Sequence, residues 1–178
     1  MAYIVLPHAG LRFFCYCKDC QAFANFLKRP DILNSAGGTD IFYMPAGRVT
    51  ITEGKDQLRC LRLSDKILRW HTACCSTPAA NTAATARFPV VAIIHSFMDT
   101  DAAGLSRDQA LGPALCRIFE QSATGPLPPD APPLPSFRFF VRRGRFVIGW
   151  WLRDLGRPNP FFNEQGAPIT QPHLIQKI

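Results

Sequence analysis

Three cysteines stand within six residues, at Cys15-Tyr16-Cys17-Lys18-Asp19-Cys20, and no other feature restricts the folding of this chain so strongly. Disulfide geometry is awkward between thiols so close in sequence, whereas chelation of one metal ion costs little chain entropy. The Cys-x-Cys spacing sets Cys15 and Cys17 on the same side of a strand end. The two-residue gap between Cys17 and Cys20 is that of a turn that points both sulfurs at one ion. Buried structural cysteines are the competing reading, but the polar neighbours Lys18, Asp19 and Gln21 fit a core poorly. Zn2+ is the expected ion, because it favours thiolates arranged as a tetrahedron. Three sulfurs leave the fourth position to a remote ligand, to water or to a substrate thiol.

The surrounding pattern is that of a mainly β protein. Short apolar runs alternate with turn residues, and the expected strands are Tyr3–Leu6, Leu11–Tyr16, Asp40–Met44, Arg48–Thr52, Gln57–Leu63, Lys66–His71 and Val90–His95. Ala22, Phe23, Phe26 and Leu27 share one face of a short helix over Asp19–Leu27, which Pro30 and Gly37-Gly38 end. The cysteines thus straddle a strand end and a helix start. From Asp99 the character turns helical. Ser106 is a candidate cap with Gln109 three residues on, and Leu115, Cys116 and Phe119 line a helix face. After a proline-rich stretch at 126–135, Phe137, Phe140, Val141, Ile148 and Trp151 recur at near-helical spacing with Arg138, Arg142, Arg145 and Arg153 between them, until Gly156 and Pro158.

Composition narrows the function classes. A hydrophobic share of 47% and a charged share of 19% argue against wholesale disorder. No apolar run reaches the roughly 18 residues needed to span a bilayer, and the first ten residues lack the pattern of an export signal. A cytoplasmic protein with no membrane partner is therefore expected, and seven cysteines, an odd number, do not suggest a disulfide framework. The net charge of +7 favours anionic partners. Nucleic acid is not the expected one, since no aromatic and basic motif of a known reader appears.

The cysteine motif, with Gln21 after it, resembles that of the glutathione-dependent formaldehyde-activating (GFA) family, also called centromere protein V-like. Arg69-Trp70-His71-Thr72-Ala73-Cys74-Cys75-Ser76-Thr77-Pro78 is similar to that family's distal Cys-x-x-Cys-Gly-Thr-Pro element. The tail, with Pro160-Phe161-Phe162-Asn163, Gly166 and Pro168, resembles an uncharacterised branch with a C-terminal extension. The resemblance implies a β-tent core of short antiparallel strands over 1–104, with a helical, proline-rich extension over 105–178 packed on it. It also implies a three-cysteine zinc that accepts the sulfur of glutathione or its formaldehyde adduct, and hence a carbon–sulfur lyase. Two departures stand out: the family's first Cys-x-Cys strand is missing, and Thr72 occupies the first position of the distal pair. The chain is then truncated, or the second site is lost, or Cys74 or Cys75 serves the first metal. Adjacent residues rarely both aim at one ion, so at most one of Cys74 and Cys75 is expected to bind it; the candidate ligand set is Cys15, Cys17, Cys20 and Cys75.

No acid or base is evident. His71 and His95 read as structural histidines, with His71 the better candidate for a base or fourth ligand, and Cys60 and Cys116 read as core cysteines. The alternative to a thiol-handling enzyme is a non-catalytic, zinc-stabilised interaction module, which a fourth protein sulfur would favour. A missing first strand would leave a sheet edge open to pairing between copies, so the oligomeric state is left open.

Overall fold

Alternation of apolar and polar residues, and in the central strands apolar residues throughout, organises the chain as a sheet buried on both sides. The structure is a computed structural model and describes residues 2–3, 10–98, 104–129 and 137–175; the expected strand residues Ile4 to Leu6 lie outside them. In chain order the strands are β1 (Ala2–Tyr3), β2 (Leu11–Cys15), β3 (Thr39–Pro45), β4 (Ile51–Glu53), β5 (Leu58–Arg62), β6 (Ile67–Thr72), β7 (Pro78–Ala83), β8 (Val90–Ile94), β9 (Arg117–Ile118) and β10 (His173–Leu174). Eight of them form one sheet in the order β10-β5-β6-β7-β8-β3-β2-β9, and β1 pairs with β4 apart from it.

The six inner strands are antiparallel, as expected, but the sheet is mixed. Both edge strands add in parallel, β9 on β2 and β10 on β5, because each returns from the C-terminal part of the chain running alongside its neighbour rather than from a hairpin. The residues after 104 are thus only partly helical, and they complete the sheet at both ends.

Side chains alternate across a strand, so the sheet carries two cores. One face gathers Phe42, Met44, Leu58, Leu68, Trp70, Val91 and Ile93 beneath Phe161 and Phe162, with Phe161 5.1 Å from Trp70 between ring centroids. The other gathers Phe13, Ile41, Leu61, Ala92 and Ile94 beneath a helix, α1 (Lys18–Phe26), which contributes Phe23 and Ala24. The run Val90-Val91-Ala92-Ile93-Ile94 is buried throughout, as a strand covered on both faces must be.

Strand β7, Pro-Ala-Ala-Asn-Thr-Ala, has weak intrinsic β propensity. It forms because β6 and β8 clamp it on both sides, with its proline at the first position, where no ladder hydrogen bond is lost. Trp70 also donates its indole N–H to Thr82 at 3.0 Å.

Two helices follow. The Ser106 capping box forms as expected, with Gln109 reciprocating, but α2 (Arg107–Leu111) ends at Gly112, φ 81°, and Pro113 cannot continue it. Leu115, Cys116 and Phe119 therefore do not line a helix. The chain extends instead into β9, and Phe119 takes a left-handed conformation, φ 60°. α3 (Phe137–Leu152) forms over the expected span, yet its apolar stripe faces outward: Phe137, Val141, Ile148, Trp151 and Leu152 are exposed, whereas Trp150 is buried. Beyond α3 the chain crosses the turn at Gly47, whose N–H donates to the Leu155 carbonyl at 2.9 Å. A Cβ there would lie 2.4 Å from the Arg157 carbonyl oxygen, so this crossing requires glycine.

Candidate metal centre

The end of β2 and the start of α1 bring the three motif cysteines together. Cys15 is the last residue of β2, and Cys17 is the extended N-cap residue of α1, φ −65° and ψ 147°. The Cys17 carbonyl accepts the N–H groups of Cys20 at 3.0 Å and Gln21 at 3.3 Å, so the first turn of the helix swings the Cys20 sulfur back toward the strand. Gln21 then ties the junction down, its side-chain amide donating to the carbonyls of Tyr16 and Ser122, both at 2.8 Å.

All three sulfurs lie within 4.8 Å of one another, and those of Cys15 and Cys20 are 3.8 Å apart. Two sulfurs on one tetrahedral ion with bonds of about 2.3 Å are separated by roughly 3.8 Å, so the donor set fits a thiolate-binding metal. The sulfurs also share protons unequally. Hydrogen bonds from the Cys15 and Cys20 thiols hold Cys17 far below the usual thiol range, while hydrogen bonding to Cys17 and then Cys20, with burial, drives Cys15 far above it.

The environment is apolar with one buried cation. Phe13, Ile41, Ala92 and Cys116 pack with Cys15 and Cys20. Arg69, on β6, is 4% exposed. Its Nη1 lies 3.7 Å from the Cys20 sulfur and 3.4 Å from the Asn81 side-chain oxygen, its Nη2 is 3.8 Å from Asp19, and its guanidinium lies over the Phe23 ring at 5.5 Å. Its Nε has no partner, and neither has the hydroxyl of Thr39, directly across the ladder from Cys15. A buried guanidinium needs a compensating negative charge. The Asp19 carboxylate at 3.8 Å supplies part of it, and three thiolates around a dication, with a net charge of about −1, would add to it. Tyr43, its ring edge-on to Phe13 at 4.7 Å, packs against the same cluster; burial raises the pKa of its hydroxyl, the charge of Arg143 opposes the rise and those of the three cysteines add to it.

Of the sequence candidates, Cys15, Cys17 and Cys20 come together and Cys75 does not join their group. Cys75 is exposed on the turn after β6, between the hydroxyls of Thr72 at 3.0 Å and Thr77 at 3.1 Å. These two bonds, that from Thr72 first, lower its thiol to about 7. Cys74, also exposed, has its sulfur 3.6 Å away. His71 lies beside Phe23, ring centroids 6.3 Å apart, with its Nδ1 buried and unpartnered, and is not in the group either. The Nδ1 of His95 sits 3.3 Å from the Asp40 carbonyl, and Cys60 is in the core under Phe161.

Sequence reasoning missed Arg69 as a site residue, though it had a signal: an arginine between Leu68 and Trp70 in a strand whose neighbours on both faces are apolar. Asn81 and Tyr43 gave none.

The match to known families spans nearly the whole chain. Residues 2–172 fit the model of a family of unknown function, DUF6151. The chain belongs to that family. The DUF6151 match runs from β1 through the segment that holds Phe161 and Phe162, so it takes in the cysteine cluster and the C-terminal segments together. No curated protein and no solved structure matches the chain.

Proposed function

We propose that this DUF6151 chain is a zinc protein related to the formaldehyde-activating family that handles thiol adducts, with carbon–sulfur lyase chemistry as its reaction. The observation that carries the reading is the convergence of three cysteine sulfurs with no fourth Cys, His, Asp or Glu ligand in the group among the described residues. Cys15, Cys17 and Cys20 would hold the ion, and zinc bound by three thiolates would supply a position for exchange of a further thiol rather than a strong Lewis acid for water.

The chain's own groups suit such a substrate. Arg69 offsets the excess negative charge of the thiolates, and Phe13 and Ile41 keep bulk water from the sulfurs. A small anionic thiol such as glutathione matches the positive balance of the chain.

The second reading, a structural zinc that only fastens β2 to α1, is favoured by the deep burial of Cys15 and Cys20. Zinc per chain in the purified protein, compared with Cys17→Ser and followed during a glutathione titration, separates the two. About one zinc, lost in the variant and perturbed by glutathione, supports thiol exchange and calls for assay of formaldehyde adducts. Zinc indifferent to thiols assigns a closed structural site, and absence of zinc overturns both readings.

A further inference from the structure

The turn between β6 and β7 holds a second thiol arrangement that the proposed metal centre does not use. Its sulfur, that of Cys75, is exposed and meets two hydroxyls, each of which also accepts from another donor. Thr72 Oγ1 already accepts the backbone N–H of Thr77 at 3.1 Å. Thr77 Oγ1 already accepts Nη1 of Arg29 at 2.7 Å. A thiol has one proton and a thiolate none, so at least one of the two hydroxyls, at 3.0 and 3.1 Å, donates its O–H to the sulfur, and both do so to the thiolate.

Arg29 is itself fixed by Asp31 through contacts of 2.8 to 3.1 Å, which anchors the relay from guanidinium to hydroxyl to sulfur. Ser76 adopts φ 52°, a left-handed conformation that a non-glycine residue takes only where its surroundings enforce it, and it folds Thr77 back over Cys75. Two donated hydrogen bonds stabilise a thiolate over a thiol, and the neighbouring Cys74 sulfur lies 3.6 Å away.

We propose that Cys75 is a nucleophilic, peroxide-reactive thiol with Cys74 as its resolving partner, a modification site separate from the Cys15, Cys17 and Cys20 cluster. The Cys75 thiolate attacks one oxygen of hydrogen peroxide; an S–O bond forms, the O–O bond breaks, and the second oxygen leaves as hydroxide, so the sulfur is oxidised to sulfenic acid as the peroxide is reduced. The Cys74 thiol then attacks that sulfur; an S–S bond forms, the S–O bond breaks, and water departs with the Cys74 proton. Neighbouring Cα atoms across a trans peptide lie about 3.8 Å apart, short of the usual disulfide range. The product is strained and readily reduced, and the modification is reversible.

Limited alkylation of the zinc-loaded protein with iodoacetamide at pH 7, read by peptide mass mapping, tests the assignment. Cys75 is expected to react at least about tenfold faster than Cys74, and the Thr72→Val/Thr77→Val variant, or Arg29→Gln if the double variant melts early, to lose most of that advantage. After peroxide, dimedone is expected to label Cys75 in Cys74→Ser, and the wild type to carry a Cys74–Cys75 disulfide that dithiothreitol removes. Equal alkylation of the two thiols, a rate indifferent to all three hydrogen-bonding residues, or no dimedone adduct would each overturn the proposal. So would protection of Cys75 by zinc, which would return it to the metal.

Discussion

Replacing Arg69 with methionine separates what that residue does for a metal from what it does for the fold. Its guanidinium nitrogen lies 3.7 Å from the Cys20 sulfur. For two full charges at that distance the attraction is about 4 kcal/mol at an effective dielectric of 20, which is a ceiling, because the charge of a zinc–thiolate centre is spread over several atoms. Groups that support metal ligands from outside the coordination shell are ordinarily worth about 10- to 100-fold in affinity, or roughly 1.4 to 2.8 kcal/mol, and Arg69→Met is expected to weaken zinc by that amount. The metal-free protein responds differently. There the guanidinium keeps the Asp19 carboxylate at 3.8 Å and the Asn81 oxygen but leaves its Nε unpartnered, and exchanging such a buried, imperfectly satisfied charge for an apolar side chain of similar length costs little. Its stability is expected to stay within about 1 kcal/mol of the wild type or to rise. Competition against a chromophoric zinc chelator and thermal melts of both forms measure the two effects. Unchanged zinc affinity at full occupancy refutes the electrostatic argument, and a metal-free protein destabilised by several kcal/mol makes Arg69 a structural residue instead.

Phe161→Ala removes a ring that is 1% exposed against Trp70 and is expected to cost about 3–5 kcal/mol by urea titration followed through tryptophan fluorescence; a loss below about 1 kcal/mol would mean that the C-terminal segment does not share the core. Asp40, 3% exposed, accepts from Arg12 and Arg107, so Asp40→Asn leaves two cations undercompensated and is expected to cost about 3 kcal/mol in the same assay. Burial, and then Arg59, pushes His71 down to about 4 from 6.5. The unfolded chain therefore binds the proton first. The His71 contribution is intact above about pH 6.5 and falls toward pH 4, by at most about 1.4 kcal/mol per unit; the slope is expected to shrink in metal-free His71→Leu, the remainder including that of His95, which burial also lowers, and an unchanged slope refers the acid sensitivity to other groups.

What the sequence disclosed, and what it hid, follows from how local each signal is. The inner strands with apolar alternation or apolar runs were legible to within a residue or two, and so was α1, because burial of one face writes its period into the chain. β7 was not, since its alanines and proline carry no β preference and only the flanking strands hold it there. The two-residue strands β9 and β10 have no period at all, and the turn at Gly112-Pro113 was outweighed by an apolar pattern that suggested more helix. At the candidate site the three cysteines were legible because six residues contain them. Arg69 reaches Cys20 across 49 positions; its place between Leu68 and Trp70 marks it as a buried charge, but nothing in the local sequence names its partner. The same holds for Cys75, whose hydroxyl partners are near in sequence but whose Arg29 relay is not.

The parallel edge strands bear on how the protein is made. A ribosome delivers β2 and β5 long before β9 and β10, so for much of synthesis the growing sheet has two open hydrogen-bonding borders, the kind of surface on which nascent chains recruit one another. The border at β2 closes once Ile118 has emerged, and the border at β5 waits for His173 and Leu174. Two residues at each margin finish the sheet, and a chain stalled between them would already hold its cysteine cluster while still exposing one adhesive edge.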